Sequence, residues 1–387
     1  MGNDHRPPDC GLRFILTMQI PFVLLSAVWC TFPAALRAAD EHPLAIESRA
    51  PDFKLPGVDG KQYSLADFAD AKVLVVVFTC NHCPTAQAYE ERLARLADDY
   101  RKRGVAVVAI SPNDPLAVRL DELGFTDVGD SLDDMKIRAK DRAFTFPYLY
   151  DGETQKVSRA YGPVATPHVF VFDSERRLRY NGRIDDSAKE SNVTSNDAKA
   201  AIDAVLTGER VPTETTKTFG CSVKWSDKRD SARESLQKWD QEQAALETID
   251  AAGVKELAAN NSKKLRVINV WATWCGPCVE EFPELVTMHR MYRKRDFELI
   301  TISADPAERR SQVLAFLNER HASNRNFQFQ GKNEYELAEA LDAKWQGALP
   351  YTMVIAPGGK VIYRRQDAVD PLALRKVIAD ALGRVYP

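Results

Sequence analysis

The sequence has no low-complexity tract, no block of like charge and no long uninterrupted apolar run. Each absence excludes something. Its 52 lysines and arginines nearly balance 55 aspartates and glutamates, for a formal charge of -3. There is no basic footprint for nucleic acid, and nucleic acid is not an expected partner. The loose basic cluster Arg101-Lys102-Arg103 ends a helical pattern, where cations suit the helix C-terminus. The apolar stretch "FILTMQIPFVLLSAVW" is short for a membrane span and Pro21 interrupts it. What is present is globular: 44% hydrophobic and 28% charged residues over 387 positions, too many for one ordinary core and suited to two domains.

Arg6 and Arg13 precede that apolar stretch and the small residues of "AALRAAD" follow it. This order predicts a secretory signal over residues 1–39, cut near Ala38 or Ala39, with the rest working outside the cytosol and not stably inserted in the membrane. An uncleaved anchor is the other reading. Trp29, not a small residue, precedes Cys30, which argues against a lipid-modified cysteine.

Cysteine is scarce, seven in all. Cys10 and Cys30 fall in the leader. Cys80/Cys83 and Cys275/Cys278 form two Cys-x-x-Cys pairs, and Cys221 is left over. Structural disulfides of an exported chain would be spaced widely; close pairs point to redox chemistry or metal. Zinc held by four thiolates is the main rival, but zinc modules keep their pairs near one another in sequence. No metal and no cofactor are expected. Cys221 reads as a small buried residue ahead of the other reading, a third redox partner.

The chain runs through the same element order twice. Val73–Phe78 is a continuous apolar, β-branched run, as in a strand covered on both faces. Thr85–Arg103 has helical spacing through Tyr89, Leu93, Leu96 and Tyr100. Val105–Ile110 is a second strand, Val169–Phe172 and Leu178–Tyr180 an antiparallel pair, and Ala198–Leu206 a closing helix. In the second half the strands are Leu265–Val270, Phe297–Ile302, Tyr351–Ile355 and Lys360–Tyr363, with helices over Val279–Tyr292, Pro306–Arg320, Asn333–Lys344 and Pro371–Leu382. The predicted class is α/β: two domains, each a mixed central sheet covered by helices, joined by a charged, Pro-free helical linker. The expected bounds are 40–225, 226–248 for the linker, and 249–387.

Both cysteine pairs fall where the first core strand enters a helix. A thiolate, not a thiol, attacks in disulfide exchange. A helix N-terminus offers free N–H groups and the positive dipole end. Cys80 and Cys275 are therefore expected at the caps as exposed nucleophiles, with Cys83 and Cys278 one turn inside to resolve the mixed disulfide. His82, between two sulfurs, is expected to stabilise the Cys80 thiolate.

"WATWCGPCVEEFPEL" resembles the active-site signature of exported thioredoxin-like proteins of the TlpA/ResA type, over roughly Gln241–Pro387. The resemblance implies that Trp274 flanks the nucleophile and, with Pro350 and Pro167, meets the substrate, that Cys275 and Cys278 are the redox pair and that Glu281 helps manage protons. It also implies that Pro350 in "ALPYTM" is a cis-proline presenting backbone to a peptide. The first half, about Ala45–Trp225, is similar to AhpC/TSA-type redoxins of a peroxiredoxin-like subgroup, on "TCNHCP", "GRIDD" and "FGCSVKW", with Pro167 in "VATPHVF" as its cis-proline. It departs from true peroxiredoxins: Val73 and Val77 stand where their active-site box has proline and threonine, and His168 stands where an arginine follows. Neither half has thioredoxin's buried aspartate, replaced by Leu74 and Asn269. The expectation is two thioredoxin-like domains forming a thiol–disulfide oxidoreductase. It would act on disulfide-bearing substrate proteins, draw on a membrane-bound electron donor, and serve cytochrome c maturation or cell redox homeostasis. A peroxidase acting through Cys80 and a non-catalytic peptide-binding module are the rivals.

Overall fold

The computed structural model describes Met1 and residues 42–331 and 334–386, with Glu334 by its backbone alone. The expected leader, Met1 apart, lies outside these residues, and Cys10 and Cys30 with it. Residues 41–387 form one compact unit.

In the first half a short hairpin, β1 (Lys54–Pro56) and β2 (Gln62–Ser64), leads into β3 (Val73–Phe78), α1 (Pro84–Arg101) and β4 (Val105–Ser111). Then come α2 (Leu132–Asp141), β5 (Tyr148–Tyr150), α3 (Lys156–Tyr161), β6 (His168–Phe172), β7 (Leu178–Gly182) and α4 (Asp197–Thr207). The sheet order is β5-β4-β3-β6-β7, parallel from β5 to β3 and antiparallel from β3 to β7. Every residue of β3 is buried because helices cover both faces. Val73, Val75 and Val77 pack towards Tyr89 and Leu93 of α1 and Ala198 and Ile202 of α4. Leu74, Val76 and Phe78 pack towards Leu55, Tyr161 and Phe170. Each such side chain contributes roughly 1.5–3 kcal/mol by leaving water.

The second half opens with α5 (Arg229–Asp240), β8 (Glu247–Ile249), α6 (Ala251–Ala259), β9 (Leu265–Trp271), α7 (Gly276–Tyr292) and β10 (Phe297–Ser303). It continues with α8 (Arg310–Glu319), β11 (Arg325–Phe329), α9 (Glu334–Leu341), β12 (Tyr351–Ile355), β13 (Val361–Gln366) and α10 (Pro371–Leu382). Its six strands are ordered β13-β12-β9-β10-β11-β8, with the central β9 buried throughout. The segment expected as a helical linker is helical over α5 and the short 3-10 turn Ser226–Lys228 before it. Its end, β8, pairs in parallel with β11 and so completes the second sheet.

Register brings each cysteine pair to a proline. Phe78 of β3 pairs with His168 of β6, so the chain leaving β3 meets the loop that ends at Pro167. Val270 of β9 pairs with Tyr351 of β12, which sets the next cysteines beside Pro350. Thr166–Pro167 and Leu349–Pro350 are both cis.

The halves touch through the loop after β4. The Tyr292 hydroxyl donates to the Thr126 carbonyl (2.8 Å), Arg295 donates to Gly124 O (2.6 Å), and Lys294 pairs with Asp121. Arg384 reaches Asp127 at 2.6 Å, and the Phe125 and Tyr386 rings meet edge-on at 5.0 Å.

Candidate active sites

The position of proline decides which cysteine caps each helix. In "CGPC" Pro277 falls at the second helical position and the helix starts at Gly276, so Cys275 is the cap; its sulfur accepts the Cys278 N–H at 3.3 Å. In "CNHCP" Pro84 follows the second cysteine and takes the first helical position, where its fixed φ and missing N–H fit best. The cap there is Cys83, whose sulfur accepts the Ala86 N–H at 3.4 Å. The expectation that Cys80 caps α1 as an exposed nucleophile is therefore corrected. Cys80 precedes the helix and is buried, with its sulfur 3.2 Å from the Thr166 hydroxyl. Cys275 caps as expected but is also buried, while Trp274 beside it is 61% exposed.

The expected partner of His82 is corrected too. Its Nδ1 lies 2.5 Å from Asp130 Oδ2, not against Cys80, and both side chains are buried. The other Asp130 oxygen accepts the Asn81 and His82 backbone N–H groups at 2.9 and 3.2 Å, and Asn113 Nδ2 donates to Oδ2 at 2.7 Å. One carboxylate thus holds the whole Cys80–Cys83 turn. Burial disfavours the imidazolium, but the Asp130 charge outweighs it and raises the His82 pKa; the same pairing, against burial, lowers that of Asp130.

The thiols divide accordingly. Burial opposes ionisation of Cys83. Hydrogen bonds from the Cys221 and Cys80 thiols, the His82 charge and the Ala86 N–H outweigh it, and hold Cys83 well below the usual thiol range. Burial, donation to Cys83 and the Asp130 charge push Cys80 up. Of the two thiols Cys83 is the more readily ionised; protonated, it donates to the Thr166 carbonyl at 3.3 Å.

In the second centre Cys275 and Cys278 are joined as a disulfide. Thr273 fixes the approach, its N–H and hydroxyl donating to Asp305 at 2.8 and 2.6 Å. Glu281, one turn beyond Cys278, is buried. It accepts from Asn269 Nδ2 (2.9 Å) and the Val369 N–H (2.8 Å), and burial raises its pKa in spite of both bonds. Asn269 stands in the strand where thioredoxins have the aspartate, and here it orients a carboxylate supplied by the helix. The proline loop joins this centre through Leu349, which packs against the cluster holding Cys275 and Cys278.

His168, after Pro167, takes the Val164 N–H on Nδ1 (3.2 Å), which leaves Nε2–H to donate to Asn181 Oδ1 (2.7 Å). Burial lowers its pKa to about 4, so this ring is neutral at neutral pH. Among the described residues, Cys80, His82 and Asp130 place ligand-type atoms within 4.8 Å of one another.

Cys221 is the residue that sequence reasoning placed worst. It is half-buried rather than buried, and it packs against the cluster of Cys80, Cys83 and Ala86. Its one signal was being left over from two pairs. Asp130 had none.

Two mixed sheets, each carrying a cysteine pair where the central strand enters a helix, define a dithiol protein that repeats a thioredoxin-like build. Residues 46–181 and 241–364 each match the AhpC/TSA family, and the chain belongs to that family. The thiol-disulfide oxidoreductase ResA of Geobacillus thermodenitrificans is 25% identical over 169 residues, 43% of this chain and 85% of that one. The Bacillus subtilis ResA is 26% identical over 95 residues, 24% of this chain and 49% of that one. A hypothetical protein from Sinorhizobium meliloti 1021, of known structure, is 39% identical and covers 48% of this chain and 97% of its own, with a TM-score of 0.43.

Proposed function

We propose that the chain is an exported thiol–disulfide oxidoreductase. It reduces or exchanges disulfides of partner proteins through two centres, Cys80/Cys83 and Cys275/Cys278, with electrons from a membrane-bound donor. The observation that carries this reading is the capping geometry: in each centre one sulfur accepts a free N–H at a helix N-terminus, where a thiolate is stabilised. The relatives called thiol-disulfide oxidoreductase support the activity. Export rests on the leader pattern; among the described residues no helix is long and apolar enough to cross a membrane. The process we infer for it is cytochrome c maturation or redox homeostasis outside the cytosol.

The test is insulin reduction by the full chain with dithiothreitol as donor. Turnover above the dithiothreitol background, lowered by Cys275→Ser and abolished when Cys83→Ser is added, is expected. A parent protein no faster than dithiothreitol alone overturns the reading. Rapid, saturable consumption of hydrogen peroxide by the reduced chain would replace it with a peroxidase.

A further inference from the structure

Cys80 and Cys83 are 3% and 0% exposed, whereas Cys221 keeps partial access to solvent. A protein-sized disulfide therefore reaches the outer thiol before it reaches the pair. Cys221 is also held in a particular way. It forms an isolated antiparallel bridge with Thr166, whose N–H donates to the Cys221 carbonyl at 2.9 Å. This is how an extended peptide adds to an exposed backbone edge. The chain's own 219–225 segment thus lies where an incoming strand would lie, with a cysteine opposite the pair.

The placement is built into the neighbouring residues. Gly220 has φ +146, and a Cβ there would lie 2.1 Å from the Thr166 carbonyl oxygen, so only glycine permits the approach. On the other side Lys224 is fixed by four contacts, one of them from Gln155 Nε2 to its carbonyl (2.9 Å). Its N–H donates to Asn113 Oδ1 (2.9 Å), its carbonyl accepts the Asp114 N–H (2.9 Å), and its ammonium reaches Glu122 (2.7 Å). Asn113 in turn donates to Asp130, the carboxylate that holds the Cys80–Cys83 turn.

We propose that Cys221 is a third redox cysteine, a relay thiol that exchanges disulfide partnership with Cys83 and connects the buried pair to partner proteins. This rests on the oxidoreductase reading above. The steps balance. Cys83 takes the Cys221 proton, the Cys221 thiolate so formed attacks a partner's disulfide to give a mixed disulfide, and the released partner thiolate takes the proton on from Cys83. The Cys83 thiolate attacks Cys221 sulfur; the second partner thiolate leaves and the Cys83–Cys221 bond forms. The Cys80 thiolate then attacks Cys83, forming Cys80–Cys83 and returning Cys221 as a thiolate. The partner gains two electrons and two protons, one from Cys221 by way of Cys83 and one from Cys80, and the negative charge that began on Cys83 ends on Cys221; the same steps reversed would reduce the pair. The last step is a pure exchange, with one disulfide and one thiol on each side.

The experiment uses the full chain with Cys275 and Cys278 replaced by serine. It is oxidised with glutathione disulfide, quenched in acid and mapped by peptide mass spectrometry. A Cys83–Cys221 disulfide is expected alongside Cys80–Cys83, and as the sole intramolecular bond in Cys80→Ser. Cys221→Ala should slow oxidation of the pair by a protein disulfide about tenfold, since access governs exchange, with circular dichroism and unfolding midpoint unchanged. Cys80→Ser that keeps both thiols free, or Cys221→Ala at the parent rate, overturns the relay. If Cys83–Cys221 never forms while insulin reduction persists, the relay fails and the oxidoreductase reading stands. If the bond forms but no protein disulfide turns over, the exchange stands and that reading fails.

Discussion

The His82 imidazole and the Asp130 carboxylate lie 2.5 Å apart, out of contact with water, under the turn that carries Cys80 and Cys83. A buried charge that loses its partner costs about 3–5 kcal/mol. Asp130→Ala should therefore destabilise the protein by that amount, read by urea unfolding, while His82→Asn should cost less because Asp130 keeps its N–H donors. Equal and sub-kilocalorie effects would show that the pair carries no charge.

The pH dependence of that pair has a defined window. Asp130 is held below its ordinary 3.8, so its contribution is present above that value and is lost as pH falls through the depressed pKa. His82 is raised above 6.5, so its contribution is full below 6.5 and is lost as pH rises through the raised pKa. The stability difference between parent and His82→Asn should be widest between those two ordinary values. A difference that grows towards alkaline pH would contradict a charged His82.

The same imidazolium favours the Cys83 anion. Thiolate ultraviolet absorbance of the reduced chain, with Cys275 and Cys278 replaced by serine, should titrate below the ordinary thiol value of 9.0. The midpoint should move up in His82→Asn. A stabilised thiolate makes its disulfide more oxidising. Glutathione titration should then place the first centre above the second, by about 30 mV for each 1.4 kcal/mol of added stabilisation. Unchanged midpoints in the variant would remove His82 from the tuning.

Glu281→Gln should slow disulfide exchange at the second centre roughly tenfold without lowering the unfolding midpoint. The parent pays for an ionised carboxylate in a buried place, and glutamine does not. The raised Glu281 pKa should appear as an inflection above the ordinary 4.5 in the parent pH–rate profile and vanish in the variant. Superimposable profiles would leave Glu281 a structural residue.

Tyr386 leans its ring on Phe125, and its hydroxyl, its pKa raised by burial, is close enough to Cys221 and Cys83 for their charge to raise it further. Together with Val385 it also lines a cavity of about 650 Å³ beside the first turn of α1. Tyr386→Ala should speed iodoacetamide labelling of Cys221 several-fold, as access controls thiol reactivity. Labelling at the parent rate would mean that the tail does not restrict the thiol.

What could be read from the chain followed the strength of local signals. Val73–Phe78, Tyr351–Ile355 and Pro371–Leu382 were read with the bounds the structure has, because unbroken apolar runs and a proline-led helical pattern admit few alternatives. β11 was missed because its buried Asn326 and Gln328 are polar and satisfied by tertiary bonds to Thr301 and to the Asp305 and Pro306 carbonyls. β8 is three residues long with one buried side chain, and α2 buries only Met135 and Arg138. At the sites, the cysteine pairs were plain. The choice of cap is encoded by Pro84, a weaker signal than the cysteine spacing itself; the Asp130 contact joins positions far apart in sequence and has no local trace.

The seam between the halves makes the chain unsuitable for dissection. Tyr292 and Arg295 satisfy carbonyls at Thr126 and Gly124 in the loop that leads to Asp130, and Arg384 neutralises Asp127 in the same loop. A fragment ending before α5 would bare that loop and uncover Cys221 at once. Its thiols would then report on a surface that the intact molecule never shows, and potentials measured on two separate pieces should not be added up to describe the whole.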